Sequence, residues 1–420
     1  MPKTIAILHY TGLPVIGGVE IIIDAHARLL NRAGYKVKVI VGEGPGGDTL
    51  PPEVKTVVIP EIVSSGGPLR SVLKALGDGE VPATFEDAVK KVDKKMSSAL
   101  RGVDVCCMHN VMTMHFNLVL TEALARIMKR RKSTRFIAWT HDITFGDPRY
   151  ESHQHGRHPW SLIRQPVQGC DYCVISKQRQ RDLRKLFKVP AKTLPVIYDG
   201  IDVPRHFHLT RRVEGLYYKE NLANTEIIAL SPARIVRRKN LGVGMEIVAA
   251  LKKMGKSVRW IITGAPDPHN PESMKYYRML KGMRKKLGLQ KEVIFLCDRF
   301  DKEVRNRDLR GLYRMSDVLL FPSEREGFGL PVLEAGLSRL LVVISDIPVL
   351  REVAGRGAMT VKLGGNLNVV AKNIMTAIKK RQSHRYRKKV MSTYSWEMVY
   401  KNRIQPAIED PGSVWPARKP

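Results

Sequence analysis

Val318-Leu319-Leu320-Phe321-Pro322-Ser323-Glu324-Arg325-Glu326-Gly327-Phe328-Gly329-Leu330-Pro331-Val332-Leu333-Glu334-Ala335 runs from a short apolar segment, through a glycine-bearing turn, into a helical pattern. The apolar segment reads as a buried strand, Val318–Phe321, and the helix opens at about Leu330. Gly327 and Gly329 let the backbone come close to a ligand and bare N–H groups at a helix N-terminus, a site for anions and hydroxyls. Glu326 lies on the turn and Glu334 about one turn into the helix. Two carboxylates so spaced suit a ligand with hydroxyls at one end and a further hydroxyl pair beyond a phosphate. The plainer reading is a strand, loop and helix whose glutamates only cap.

The same alternation extends both ways from this stretch. Downstream come strand Leu341–Ile344 and a helix near Leu367–Lys380; upstream lie strands Ile227–Leu230, Arg259–Thr263 and Val293–Leu296. Helical patterns over Gly242–Met254, Ser273–Leu287 and Arg307–Met315 separate them. The first half repeats this grammar with strands Ile5–Leu8, Val37–Val41, Val103–Met108, Phe136–Trp139 and Tyr172–Ile175. Its helices fall over Glu20–Ala33, Asn117–Lys129 and Gln178–Phe187. Apolar strands alternating with amphipathic helices imply parallel sheets covered on both faces. The periodicity breaks at Pro195–Pro204, so the chain reads as α/β with two doubly wound, Rossmann-like domains facing a cleft. The boundaries are 1–195, a linker over 196–204, 205–390, and a C-terminal helix and tail over 391–420. Ligands of such sheets sit beyond the carboxyl ends of the strands. Residues 48–100 match no recognisable pattern.

The chain has 420 residues, 43% hydrophobic and 26% charged, which excludes collagen-like, disordered and small disulfide-stapled proteins. The longest apolar window, Leu330–Ile344, is interrupted by Glu334 and Arg339 and falls short of a membrane span. MPKTIAILHY reads as a first strand and not as a secretory signal, so a cytoplasmic protein is expected. Five cysteines fit free thiols in a reducing compartment. Cys170-Asp171-Tyr172-Cys173 is one CxxC without a second pair, so no metal site is expected. Seventy-one Lys and Arg against forty Asp and Glu give a net charge of +31, which attracts polyanions. Peripheral contact with an anionic inner membrane face would fit that charge.

Four further turns fall at strand ends. Arg234 and Lys239, in Ser231-Pro232-Ala233-Arg234-Ile235-Val236-Arg237-Arg238-Lys239-Asn240, put fixed cations where a leaving diphosphate would gather charge. Gly17-Gly18-Val19-Glu20 enters the first helix and bares N–H groups. His141, in Thr140-His141-Asp142, and the pair His109-Asn110 end neighbouring strands; either could be structural. Two matches are rejected. Gly42-Glu43-Gly44-Pro45-Gly46-Gly47 fits GxGxxG, but it follows the second strand and Asp48-Thr49-Leu50-Pro51-Pro52 cannot open a phosphate-binding helix. Gly255-Lys256-Ser257 lacks the earlier glycine of a P-loop, having Ala250 there.

On these residues the chain resembles the retaining glycosyltransferases of family 4, which have the GT-B fold. The family's Glu-x7-Glu signature matches Glu326 and Glu334, and its Arg/Lys pair matches Arg234 and Lys239. Asp199-Gly200-Ile201-Asp202 is similar to its interdomain turn, with Asp199 in place of the usual Asn. Tyr394-Ser395-Trp396 is similar to the start of a helix that crosses back to the N-terminal domain. The resemblance implies that residues 1–195 serve the acceptor and 205–390 the nucleotide sugar. Glu326 would meet hydroxyls of the donor sugar and Glu334 those of the ribose. Gly327, Phe328, Gly329 and Leu330 would line the donor, with the backbone near Gly329 and Leu330 at its phosphates. Gly17 and Gly18 would approach the diphosphate, and His141 would hydrogen-bond the donor sugar. His109 and Asn110 are acceptor candidates. The implied catalytic set is Glu326, Arg234, Lys239 and His141. No cofactor is required beyond a UDP- or GDP-sugar donor, and the absence of any Asp-x-Asp motif points away from a metal-held diphosphate. The implied reaction is hexosyl transfer with front-face displacement to a hydroxyl on a membrane-associated glycan or lipid, or on a small anionic molecule. Two alternatives stand beside it: a polyanion (nucleic-acid) binding protein on a degenerate transferase scaffold, and a nucleotide-sugar epimerase of similar fold. No specific nucleic acid partner is expected, since aromatics are only 7% and no recognition motif occurs.

Overall fold

The computed structural model describes residues 2–14, 17–44, 50–267, 269–362 and 364–416. In the first half, β1 (Thr4–Leu8), β2 (Lys36–Val41), β3 (Lys55–Val58), β4 (Val105–His109), β5 (Arg135–Thr140) and β6 (Cys170–Val174) form one sheet in the order β3-β2-β1-β4-β5-β6. In the second, β7 (Ile227–Ser231), β8 (Val258–Ile262), β9 (Val293–Phe295), β10 (Val318–Phe321), β11 (Leu341–Ser345) and β12 (Ala358–Val361) take the order β12-β11-β10-β7-β8-β9. Every pairing is parallel. These are the two doubly wound sheets of the GT-B architecture. The strand order reverses between β1 and β4 and between β7 and β10, where loops diverge and leave room for ligands. Helices cover both faces, so β4 and β7 are buried along their whole length.

The chain divides into Met1–Gly200 with Trp396–Pro420, and Ile201–Ser395. The C-terminal stretch is thus part of the first unit, starting at Trp396. It is a series of short helical turns and not one helix. Its Trp396, Ile404, Ala407 and Trp415 share a core with Ile5, Ile7, Val105 and Trp139. Trp415 Nε1 donates to the carbonyl of Tyr172 (2.9 Å) and Lys3 pairs with Glu409 (2.6 Å). Of residues 48–100, those from 50 onward are described: β3 lies at the sheet edge, and helices Arg70–Gly77 and Phe85–Ala99 follow. The second of these buries Phe85, Ala88, Val89, Val92, Met96 and Ala99, a helical stripe. Among the described residues no helix is long and apolar enough to cross a membrane.

Asp317 fastens the base of the second sheet. Its N–H donates to the carbonyl of Ile228 and its carboxylate accepts from the N–H of Ile228, both at 2.8 Å, so it bridges β10 to β7. The carboxylate is 5% exposed as a residue and meets Lys388 at 2.6 Å and His384 at 3.4 Å. Burial opposes its charge, but Lys388 and His384 outweigh that and hold its pKa at about 2. Removing one partner of such a pair strands the other charge, a loss of about 3–5 kcal/mol. Asp317→Ala is therefore expected to destabilise the second unit by that amount in urea titrations. An unfolded aspartate titrates near 3.9. The wild-type stabilisation should hold above about pH 4 and fade as the pH falls towards 2, a dependence absent from the variant.

Candidate functional site

In the second unit, adjacent strands β7 and β10 send their following loops out side by side. Glu324 N–H donates to the carbonyl of Arg238 (2.8 Å), and Arg238 donates to the carbonyl of Arg325 (3.1 Å). The Lys239 ammonium pairs directly with the Glu326 carboxylate. Arg238 lies 3.5 Å from its other oxygen, and the face of Phe321 backs Lys239 at 4.7 Å. Both side chains are nearly buried, Lys239 at 11% and Glu326 at 8% exposure, so their charges act through little water. Gly329 has φ +99°, and a Cβ there would stand 2.8 Å from Leu350 Cδ2; only glycine starts the helix Leu330–Leu337 in this way. A Cβ on Gly327 would meet nothing, so packing makes no such demand there. No side chain caps the helix, which leaves its first N–H groups for a ligand. Phe328 and Leu330 are exposed beside them, at 54% and 63%. Glu334 accepts from the buried Tyr313 hydroxyl at 2.6 Å, and burial together with that carboxylate raises the phenol's pKa.

Arg234 is exposed and lines a cavity of about 660 Å³ with Gly264, Cys297, Phe300 and Asp301. A Cβ on Gly264 would be 2.2 Å from the carbonyl oxygen of Ala233, so only glycine lets the two backbone segments approach this closely at the cavity's edge.

The first unit builds a second cluster on the same plan. His9 follows β1, His109 ends β4 and His141 follows β5, and these three strands are neighbours. His109 Nδ1 and His141 Nε2 share a hydrogen bond of 2.9 Å, and His9 Nδ1 meets the carbonyl of His109 at 2.8 Å. His141 Nδ1 is 3.5 Å from Asp199 Oδ2. A carboxylate there favours a proton on Nδ1, which makes Nε2 the acceptor and His109 Nδ1 the donor. His26 packs among His109, Trp139 and Trp396, at centroid distances of 5.3, 4.9 and 5.0 Å. Burial lowers the pKa of His9 and of His26 to about 4 and that of His109 well below its usual value.

Asn110, at φ +62°, accepts the N–H groups of both His141 and Asp142 at 2.9 Å, so it clamps the loop that carries His141. Gly17 is extended, and a Cβ on it would sit 2.2 Å from Glu20 Oε2; a Cβ on Gly18 would meet nothing. Glu20 accepts from Thr11 Oγ1 at 2.5 Å and lies 3.7 Å from His9 Nε2. Sequence reasoning missed His9, Glu20, His26, Asp199 and Tyr313 as site residues. His9 carried a legible signal, since it directly follows the first apolar run; the rest depend on contacts far apart in sequence.

The rejected motifs are structural turns where they are described. A Cβ on Gly42 would press on Val63 N at 2.5 Å, and residues 45–49 lie outside the described residues. Gly255 ends a helix at φ +73° and Lys256 pairs with Glu226 at 2.9 Å. The five cysteines are free thiols, and burial pushes Cys107 up to about 12.

Two outcomes follow. His9 and His26 are neutral in the fold but gain protons below about pH 6.5 when unfolded. The first unit should therefore lose stability as the pH falls from about 6.5 towards 4. His26→Phe should flatten that slope in pH-dependent unfolding; an unchanged slope would contradict the burial argument. Asp199→Ala should move the proton of neutral His141 from Nδ1 to Nε2, read directly in ¹⁵N NMR of the ring.

Residues 16–205 match the family model Glycosyltransferase Family 4, and residues 217–391 match Glycosyl transferases group 1. An O-antigen chain mannosyltransferase of Salmonella typhimurium is 41% identical over 86 residues, which are 20% of this chain and 23% of that protein. The chain thus spans less than a quarter of that relative's length. A mannosylglucosylglycerate synthase of Thermotoga maritima is 22% identical over 388 residues, 86% of this chain and 84% of its own. The solved structure of sucrose-phosphate synthase from Thermosynechococcus elongatus aligns over 98% of this chain and 100% of its own, at 18% identity and a TM-score of 0.40. With the two family models covering consecutive halves, this chain belongs to the family 4 type of GT-B glycosyltransferases.

Proposed function

We propose that the protein transfers a hexosyl group, with retention, from a nucleoside-diphosphate sugar to a hydroxyl acceptor. The observation that carries this is the Lys239–Glu326 pair, held beside an uncapped helix start where β7 and β10 part. In this reading Lys239, Arg234 and the first N–H groups of helix Leu330–Leu337 bear the charge that grows on the departing diphosphate. Glu326 takes hydroxyls of the donor sugar and Glu334 those of the ribose. The bond from the anomeric carbon to the phosphate oxygen breaks while one to the acceptor oxygen forms on the same face. The leaving phosphate oxygen receives the acceptor's proton.

The donor is a UDP- or GDP-sugar. The Salmonella relative's name makes a mannosyl donor the first to try. The acceptor is a glycan, a lipid or a small anionic molecule; the +31 charge supports an anionic one and also peripheral contact with an anionic membrane.

Incubating the protein with GDP-mannose, UDP-glucose and a panel of acceptors should reveal transfer, and the product's anomeric configuration by NMR should match the donor's. Glu326→Ala and Lys239→Ala should each lower the rate by about 10²–10³-fold. Near-wild-type transfer by Glu326→Ala would overturn its assignment, and an inverted anomer would overturn retention.

A further inference from the structure

A second cavity of the C-terminal unit lies apart from the Lys239–Glu326 pair. It encloses about 680 Å³ between helix Arg211–Lys219, the segment after β9 and the start of helix Asn306–Met315. That is the size of an ordinary small-molecule site. Seven basic side chains line it (Arg211, Arg212, Lys219, Arg299, Lys302, Arg305 and Arg307) against Asp301 and Asp308 alone.

The local contacts sort these charges into two sets. Asp308 is 3% exposed and already engaged: it accepts from Thr210 Oγ1 at 2.5 Å and from Arg305 N–H at 3.2 Å, with Arg212 at 3.5 Å. Arg212 also holds the wall. Its guanidinium lies 4.3 Å from the Phe300 ring and donates to the carbonyls of Lys302 (2.6 Å) and Glu303 (3.3 Å). Arg299 is paired with Glu220 at 3.0 Å. Among the described residues, Arg211, Lys219, Lys302, Arg305 and Arg307 form no ion pair, and only Asp301 opposes them. Five unneutralised cations around a concave wall repel one another and focus a positive field into the space between them. A ligand with several phosphoryl oxygens relieves that repulsion through charge-assisted hydrogen bonds.

We propose that this cavity binds a multiply phosphorylated small molecule. The site adjoins the donor site proposed above, and its existence does not depend on that reading. The two are neighbours, since Phe300, Asp301 and Lys302 also line the cavity that holds Arg234.

Inorganic pyrophosphate is the probe, titrated calorimetrically into the full chain at physiological ionic strength. The test variants are Arg211→Gln/Lys219→Gln/Arg307→Gln in this cavity and Lys239→Ala at the donor site. The wild type should bind, the triple variant should weaken binding at least tenfold, and Lys239→Ala should retain a site within twofold of the wild-type affinity. Thermal melting without anion should be no lower in the triple variant, since its changes remove repulsion and fill no core position. No binding by the wild type, wild-type affinity in the triple variant, or loss of all binding in Lys239→Ala would overturn the proposal. So would a triple variant that loses affinity for short duplex DNA while keeping it for pyrophosphate, because the cations would then serve an extended polyanion.

Discussion

The second unit depends on β10 lying parallel against β7. That pairing registers Val318 with Ala229 and Leu319 with Leu230, and Asp317 locks it from below through both backbone groups of Ile228. Because the two strands run together, the loops above them must start side by side. The loop after β7 carries three consecutive basic residues, Arg237, Arg238 and Lys239, and the one after β10 carries Glu324 and Glu326. Opposite charges brought to one edge with little water between them pair, and the pairing sets Lys239 and Glu326 beside the helix start. A carboxylate buried at one end of the sheet thus supports an ion pair at the other.

The first unit solves the same geometric problem with different chemistry. There the strand ends carry histidines in place of a lysine and a glutamate. Burial disfavours the charge of His9 and His109, and His109 is joined to His141 by a hydrogen bond whose direction Asp199 sets. Through His9, His26 and His109 the first unit also answers to pH.

Much of this was legible in the sequence for a physical reason. Parallel strands buried on both faces must be apolar throughout, so Val318–Phe321 and Phe136–Trp139 announce themselves without any neighbour's help. Turns that bare a helix N-terminus need glycine, which marks Gly329. Helix Phe85–Ala99 carried an equally regular stripe and was still passed over, because many charged residues separate its apolar positions. Strand β12 was missed for the opposite reason: at the sheet edge its Ala358-Met359-Thr360-Val361 is only partly buried and short. Roles that arise from distant partners left no local trace. Nothing in the neighbourhood of Asp199 states that it will face His141, and nothing near Arg234 states that it will line a cavity with Gly264 and Cys297.

The C-terminal return has a consequence for the order of events during synthesis. Trp396, Ile404 and Trp415 complete a core begun by β1, β4 and Trp139. Translation at about 5–20 residues per second takes roughly 10–40 s to reach Trp396 after Gly200. Throughout that interval the part of the first sheet's face that Trp396, Ile404 and Trp415 cover lacks its packing, while the second unit, contiguous from Ile201 to Ser395, is being made. The unit begun first on the ribosome is therefore the last to close.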